Sequence, residues 1–518
     1  MNDAAKFKRR TRRSGGQSSR EAMHAMRSLP PEIDPCPPGA VGGQYKPLTE
    51  SDIQKIYQTS LRILEELGMG EAPDILIDRA VSCGAHVNKD GRLCFPRSMV
   101  EDIIDKSCKK FTLHGRDPRH DFEVGGDKVY FGTGGAAVQT LDIDSGIYRP
   151  STLRDLYDFS RVIDTLNNVS WFTRCCVATD VSDNFDLDVN TVYAMLRGTQ
   201  KPIGTSFFVG EHVDAVVDIF DEMMGGKNTF RQRAFCKAHI SPVISPLRYG
   251  ADAVEVALAC MQRGMPINNI VAAQSGATSP ATIAGMLTST LAETLAALLM
   301  INVFEAGYPM IFSNWPLVID LRSGAFAGGG GEISLLNAAS AQLSNWLGLP
   351  SGVASSMADA KAVDAQMGME KALSSLATGL AGGNMIYESS GMMASLLGVS
   401  FEAFMIDDEM LSHVYRMLRG VEVSDETLGF EAIREAINGE GHFLGGTHTM
   451  EAMQRDHFYP KLTDRNDPRT WAQLGATDMW KRANDAARET LSNHHPNYLD
   501  PAIDQKIRKR FNIFLDLP

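Results

Sequence analysis

The chain has 518 residues, of which 44% are hydrophobic and 22% are charged, so it is long enough to bury a large core. Its net charge of −13 argues against a general nucleic-acid binder, because such proteins present a basic surface. The longest apolar stretch, residues 291–304, contains Glu293 and is shorter than the roughly 20 uncharged residues of a membrane span. It predicts a buried helix and no membrane association.

Two regions precede the main domain. Residues 1–47 are first basic and then rich in Pro and Gly, which predicts a disordered tail and linker; a docking arm for an acidic partner is the alternative. Residues 48–127 are expected to form a small helical domain, because Thr49 precedes a run of helical periodicity that Gly68 closes. The basic residues of the tail are Lys6, Lys8, Arg9, Arg10, Arg12 and Arg13.

Eight short segments rich in β-branched, aromatic or small residues recur at intervals of roughly 32 to 43 residues. Helical patterns lie between them, for example over residues 151–166, 211–224, 251–263, 280–304 and 364–381. This alternation predicts an α/β fold, a (β/α)₈ TIM barrel over residues 128–394; a doubly wound open sheet is the alternative. The segments begin at Lys128, Ser170, Pro202, Ala234, Pro266, Pro309, Pro350 and Asn384.

The C-terminal region and the cysteines give two further predictions. Residues 395–518 hold no further strand pattern and are expected to form a C-terminal helical extension, with residues 430–438 and 471–491 as its clearest helices. The eight cysteines show no CxxC spacing, and the basic N-terminus lacks the apolar core of a secretion signal. We therefore expect free thiols and a cytoplasmic protein.

Catalytic groups of a TIM barrel lie at the C-terminal ends of its strands and on the loops that follow. The side chains at these positions are rich in aromatic and amide groups and include no HExxH or other paired ligands, so no tightly bound metal is expected. The glycines at 328–331 lack the Lys-Ser/Thr of a phosphate-binding loop and predict a flexible loop. The positions are Phe131, Thr133, Gly134, Phe207, Phe208, His239, Gln274, Asn314, Trp315, Asp320, Arg322, Asp359, Lys361, Asp364, Tyr387 and Glu388.

The strongest candidates also have structural interpretations. Trp315 and Tyr387 could be core aromatic residues, and His239 could be a hydrogen-bonded structural histidine. Arg322 could pair with Asp320 or Glu332 in a loop network. Placed together at one mouth, however, aromatic faces attract a quaternary ammonium and a guanidinium holds a carboxylate. That combination suits a zwitterionic betaine.

Four segments resemble the trimethylamine:corrinoid methyltransferase family: LTESDIQKIYQTSLRILEELGM from Leu48, GYPMIFSNWPLVIDLRSG from Gly307, ADAKAVDAQMGMEKALSS from Ala358 and HFLGGTHTMEAMQRDHFYP from His442. The resemblance implies a barrel whose acidic, apolar cavity holds a methylated amine. It also implies a corrinoid that a partner protein carries to the mouth, with no cofactor tightly bound to this chain. Archaeal members carry pyrrolysine in the cavity. This chain has ordinary residues there, which resembles the branch that acts on quaternary amines such as glycine betaine.

The sequence therefore predicts an enzyme that transfers a methyl group from a quaternary amine to the Co(I) corrinoid of a partner protein. We expect it to be a homo-oligomer. The alternatives are another TIM-barrel enzyme of lyase or decarboxylase type and a barrel that binds a betaine without turnover. From their positions in the barrel, we expect Trp315, Phe131 and Tyr387 to form an aromatic cage and Arg322 to bind the substrate carboxylate. Weaker substrate-binding candidates are His239, Gln274 and Glu388.

Overall fold

The computed structural model describes residues 34–516, and a closed sheet of eight parallel strands lies at its centre. The final strand pairs with the first through Met385 and Tyr130, and a parallel bridge between Phe131 and Val169 closes the ring. The predicted TIM barrel is therefore confirmed. Its strands, β1 to β8 in chain order, are Tyr130–Phe131, Phe172–Thr173, Ile203–Thr205, Cys236–Ile240, Ile267–Val271, Met310–Asn314, Ser351–Ala354 and Met385–Tyr387.

A helix follows each strand and covers the outside of the sheet. The five helical patterns predicted from the sequence coincide with α1, α3, α4, α5 and α7 to within a few residues. Side-chain caps fix several of the starts: Thr152 forms a capping box with Asp155, and Asp364 accepts from two amides of α7. The helices, α1 to α8, are Leu153–Asp164, Asn184–Gly198, Gly210–Met223, Ala251–Arg263, Ile283–Phe304, Gly331–Trp346, Ala365–Leu380 and Phe401–Arg419.

The most apolar helix, α5, is long enough to cross a membrane, but 89% of its most hydrophobic window is buried inside the protein. It is enclosed by the barrel on one side and by the N-terminal helices on the other, where the Ser60 hydroxyl donates to Thr288 O at 2.8 Å. Its buried Glu293 accepts hydrogen bonds from Ser245 Oγ and Leu247 N. The buried helix predicted from this stretch is confirmed.

The region before the barrel contains helices, as expected, and also two antiparallel strand pairs. The second pair reaches the lower end of the barrel, where the Phe122 ring lies 4.5 Å from Tyr130 and 6.0 Å from Trp171. Of the tail and linker predicted over residues 1–47, residues 1–33 lie outside the described residues. The elements are Glu50–Arg62 with a π-helical turn Ile63–Leu67, Asp74–Ser82, Arg97–Lys106 and the 3₁₀ turn Pro118–His120, and the strand pairs are His86–Val87 with Leu93–Cys94 and Phe111–Leu113 with Phe122–Val124.

The loops that follow β1 and β8 join into a small mixed sheet at the mouth of the barrel. Its strands are Gln139–Leu141, Tyr148–Pro150, Met392–Met393 and Gly398–Ser400, and the last pairs in parallel with the first. The expectation that no strand follows residue 395 is therefore wrong. The cause is length, since a two- or three-residue strand is too short to show a period. Two smaller elements, Val243–Ile244 paired with Arg248–Tyr249 and the 3₁₀ turn Phe230–Gln232, lie in other loops.

Helices dominate the C-terminal part of the chain. Residues 460–516 carry Pro468–Gln473, Met479–Asn493 and Pro501–Arg510, and the second packs on α1, where Arg161 donates to Leu491 O at 2.7 Å. The single helix predicted over residues 471–491 is wrong between the first two of these, because Gly475 adopts a φ of 99° and Asp478 caps a new helix. The described residues 419–459 form a separate compact unit with helices Phe430–Asn438, as predicted, and Thr447–Arg455.

All eight cysteines lie in the described range, and all are free thiols, as predicted. Six of them are buried. The adjacent pair at the end of β2, Cys175 and Cys176, is fully enclosed, and burial raises the pKa of the Cys175 thiol well above its ordinary value. These thiols therefore pack as small apolar groups.

Candidate active site

Strand alternation decides which side chains point into the barrel, because successive residues of a strand face opposite sides. Lys237 and His239 are two residues apart on β4, and both face inward. His239 pairs in register with Asn268 of β5, whose amide nitrogen lies 3.5 Å from His239 Nδ1. Lys237 is the deeper of the two. The interior of the barrel thus holds ionisable groups as well as apolar ones.

Four rings form an aromatic cluster below the mouth: Trp171, His239, Trp315 and Tyr387. Tyr387 is central, with its ring centroid 5.1 Å from Trp171 and 5.5 Å from both His239 and Trp315. Trp171 Nε1 donates to Thr133 O at 3.1 Å. Trp315 Nε1, by contrast, is buried without a hydrogen-bond partner among the described residues. A cluster of this kind offers several π faces and an unused donor to a ligand.

A lysine stands inside this cluster. Lys237 Nζ lies 4.7 Å from the Tyr387 ring centroid and 5.8 Å from that of Trp171, and it donates to Thr173 Oγ1 at 2.7 Å. Gly204 makes room for it, since a Cβ there would come 2.7 Å from Nζ. Burial lowers the pKa of Lys237 to about 7, because the charged form loses its hydration.

A glutamic acid lies near the lysine of this cluster. Glu388 directly follows β8, is 1% exposed and adopts a left-handed backbone with φ of 60°. Its carboxyl packs on Gly134 and Gly135, where an added Cβ would come within 2.6 and 2.8 Å of its oxygens. Oε2 has no hydrogen-bond partner within the described chain. Burial raises the pKa of Glu388 to about 8, although Lys371 and Lys237 oppose the shift, so the acid is protonated at neutral pH.

A small cavity of about 150 Å³ opens at the C-terminal ends of β2 and β3. Its charged groups are Arg174, directly after β2, and Asp188 of α2. Asp188 Oδ2 already accepts from Phe208 N at 3.1 Å and lies 2.6 Å from His212 Nδ1. Arg174 also adjoins the aromatic cluster: burial lowers the pKa of His239 well below its ordinary value, and the positive charges of Lys237 and Arg174 lower it further. His239 is therefore neutral.

The structure brings together four of the seven predicted site residues. Trp315, Tyr387 and His239 belong to the aromatic cluster. Glu388 lies near enough to Lys237, the lysine of that cluster, for its charge to affect the pKa of Lys237. Gln274 lies further out, half-buried after β5, where its backbone starts a turn closed by Thr278 and pairs with Leu317.

The other two predicted residues lie elsewhere. Phe131 faces the outer helices, with its ring 5.2 Å from Tyr415 of α8, so it does not line the mouth. The inward residues on that segment are its neighbours Tyr130 and Gly132, as strand alternation requires. Arg322 is 91% exposed, and its guanidinium binds Asp320 at 3.0 Å, the pairing given above as its structural alternative.

Sequence reasoning missed Trp171, Lys237 and Arg174. A signal for Lys237 was present, because the segment AFCKAHISPV places a cation and a histidine two residues apart inside an apolar strand. In the part of the chain that the structure describes, no group of three or more His, Cys, Asp or Glu side chains is arranged to hold a metal ion.

Comparison with known protein families shows which family the chain belongs to. The family model described as trimethylamine methyltransferase matches residues 9–512 of the chain. The chain belongs to the trimethylamine methyltransferase family. It is thus a methyltransferase, and the barrel mouth with its aromatic cluster is the candidate active site of a family member.

Curated relatives in this methyltransferase family match over most of their length. A glycine betaine methyltransferase from Desulfitobacterium hafniense (strain Y51) is 28% identical over 466 residues, which cover 90% of this chain and 96% of the relative. A trimethylamine methyltransferase from Methanosarcina thermophila is 29% identical, covering 89% of this chain and 96% of its own. Among solved structures, the monomethylamine methyltransferase of Methanosarcina barkeri aligns with a TM-score of 0.44 at 14% identity, covering 88% of this chain and 96% of that one.

Proposed function

We propose that this methyltransferase takes a methyl group from a quaternary amine, with glycine betaine favoured, and gives it to the Co(I) corrinoid of a partner protein. The cytoplasmic location and the homo-oligomeric state expected from the sequence belong to the same proposal. The observation that carries it is the aromatic cluster around Tyr387, at the end of the barrel where substrates bind. The relative whose name specifies glycine betaine supports the choice of substrate.

The cluster suits a quaternary ammonium for a physical reason. Such a cation has no N–H group to donate, so it is recognised by π faces, each worth roughly 0.5–2 kcal/mol. The neighbouring groups repel it less as the pH rises above about 7, because Lys237, with a pKa of about 7, then loses its proton, and His239 is neutral. Glu388 is a buried acid that can become a counter-ion when a cation enters.

In this reaction the main task of the enzyme is to position the substrate. A quaternary nitrogen leaves as a neutral amine, so no proton is needed before the N–C bond breaks. The acceptor supplies the electron pair of the new bond, and the pair of the broken bond stays on nitrogen. Trp171, Trp315 and Tyr387 would hold the ammonium group with one methyl toward the mouth, and their tight packing excludes water from the reaction path.

Methyl transfer to a Co(I) corrinoid carrier tests the proposal. The purified protein is mixed with the reduced carrier and with glycine betaine, choline or trimethylamine at equal concentration, and the rate of cobalt methylation is measured. We expect glycine betaine to react fastest. Faster turnover of trimethylamine would refute glycine betaine as the preferred substrate. Tight binding of betaine without any methylation would indicate that the protein binds betaine without turnover.

A further inference from the structure

Two basic side chains in the inner part of the barrel mouth, Lys237 and Arg174, form no salt bridge with any described residue. Glu388, the acid beside Lys237, is protonated at neutral pH, and Asp188 acts on Arg174 through its charge without a salt bridge. Buried charges in proteins are normally paired, because an unpaired one loses hydration without compensation. The missing anion is therefore a group that a ligand can supply.

The two cations differ in their access to a ligand. Lys237 is completely enclosed, and its ammonium already donates to Thr173 Oγ1. Arg174 lines the small cavity at the ends of β2 and β3 together with the Phe207 and Phe208 side chains. Its guanidinium makes no side-chain hydrogen bond to any described residue, so its five N–H donors are available. Arg174 is thus the cation that an incoming molecule meets.

Arg174 also has the right neighbour. It lines its cavity with Thr205 of β3, whose register partner on β4 is Ala238, the residue before His239. The His239 ring in turn lies 5.8 and 5.5 Å from the Trp315 and Tyr387 rings, and the charge of Arg174 lowers its pKa. An anion on Arg174 would therefore lie next to the surface that holds an ammonium group. Asp188, the carboxylate in the same cavity, accepts from Phe208 N and lies 2.6 Å from His212 Nδ1. Its charge opposes the lowering of the Arg174 pKa by burial, but the two side chains form no salt bridge.

We propose that Arg174, rather than the exposed Arg322, binds the carboxylate of the substrate and makes the enzyme specific for zwitterionic betaines. The proposal rests on the quaternary-amine function given above. A planar guanidinium binds a carboxylate through two parallel hydrogen bonds, which also fixes the direction of the ligand. With Arg174 binding the carboxylate and the aromatic cluster binding the ammonium group, the site would select betaines by the distance between their two charges.

Binding titrations of wild type, Arg174→Gln, Arg174→Lys and Arg322→Gln with glycine betaine and with choline test this assignment. Choline keeps the quaternary ammonium and lacks the carboxylate. We expect Arg174→Gln to weaken betaine binding about ten- to a hundred-fold, which corresponds to one lost charge-assisted pair. Arg174→Lys should restore part of it. Choline binding should stay within about twofold of wild type or tighten, because a like charge has been removed.

The remaining outcomes separate this assignment from the function on which it rests. Equal losses for the two ligands in Arg174→Gln, or a selective loss of betaine only in Arg322→Gln, would overturn the role of Arg174. Wild-type protein that binds neither ligand would overturn the proposed function itself. Arg62→Gln, which removes one exposed charge from the N-terminal helix, is the matched control for net charge. Circular dichroism spectra of the Arg174 variants establish that they fold, and Arg174→Lys provides a second test if the glutamine variant does not.

Discussion

The buried lysine of the aromatic cluster should make the enzyme less stable than a variant without it. Replacing Lys237 with Met removes the amino group and keeps most of the length of the side chain, and a thioether packs well against the Tyr387 and Trp171 rings. In the folded protein the pKa of Lys237 is about 7, whereas an unfolded lysine has about 10.4. At pH values below 7 that difference corresponds to about 5 kcal/mol of lost stability. The Thr173 hydrogen bond offsets about 1 kcal/mol of it.

The pH dependence follows from the same pKa difference. Between pH 7 and about 10.4 the unfolded lysine is protonated and the folded one largely is not, so the unfolded state binds more protons. The penalty is therefore fully present below pH 7 and decreases as the pH rises toward 10. Lys237→Met should melt several degrees above wild type at pH 6.5, and this advantage should shrink at pH 9.

A second buried lysine provides the matched control. Burial also lowers the pKa of Lys201, to about 8, but its Nζ donates to the backbone carbonyls of Ile163, Leu166 and Val169. Lys201→Met leaves those carbonyls without a partner and should lower the melting temperature at every pH. Thermal unfolding of both variants from pH 6.5 to 9 measures the contrast. A Lys237→Met protein that is no more stable than wild type at pH 6.5 would refute the account of Lys237 as an uncompensated charge.

Three further changes test other parts of the site. Trp315→Leu should weaken glycine betaine about three- to thirty-fold, the value of one cation–π contact. It should leave binding of tert-butylacetate, in which an uncharged carbon replaces the ammonium nitrogen, nearly unaffected in the same titration; equal losses would mean that Trp315 acts only through shape. Glu388→Gln should gain stability over wild type as the pH rises from 5 to 8.5, because the folded acid, with a pKa of about 8, resists ionisation that the unfolded chain undergoes near pH 4; unfolding curves that stay parallel with pH would contradict this. Gly204→Ala should cost about 1–3 kcal/mol, since its Cβ would lie 2.7 Å from Lys237 Nζ, and the cost should fall in a Lys237→Ala background.

The barrel could be predicted because its signal is repeated. Each of the eight segments was short, but their regular spacing and the helical patterns between them left few architectures to choose from. The strands of the small sheet at the mouth lacked such support. Gly398–Ser400 pairs with Gln139–Leu141, which lies more than 250 residues earlier in the chain, so no local pattern could indicate the pairing.

The site could be predicted only in part, because it depends on which way each side chain points as well as on where the residue lies along its strand. Trp315 and Tyr387 were found from their places at strand ends. Phe131 was placed one residue out of phase, since a two-residue strand does not reveal which side chain faces inward. Arg174 and Lys237 lie within or next to strands, and nothing in the sequence shows that the one lines a cavity and the other stands over aromatic rings. The left-handed backbone of Glu388 likewise depends on the folded contacts around it.

Transfer of isotope from substrate to acceptor tests the central claim most directly. Glycine betaine carrying three deuterated N-methyl groups is incubated with the enzyme and a reduced Co(I) corrinoid carrier, and both products are analysed by mass spectrometry. We expect one deuterated methyl group on the corrinoid for each molecule of dimethylglycine formed, with the two remaining methyl groups of that product still labelled. Consumption of betaine without label on the corrinoid, or a corrinoid that acquires label only from trimethylamine, would contradict it.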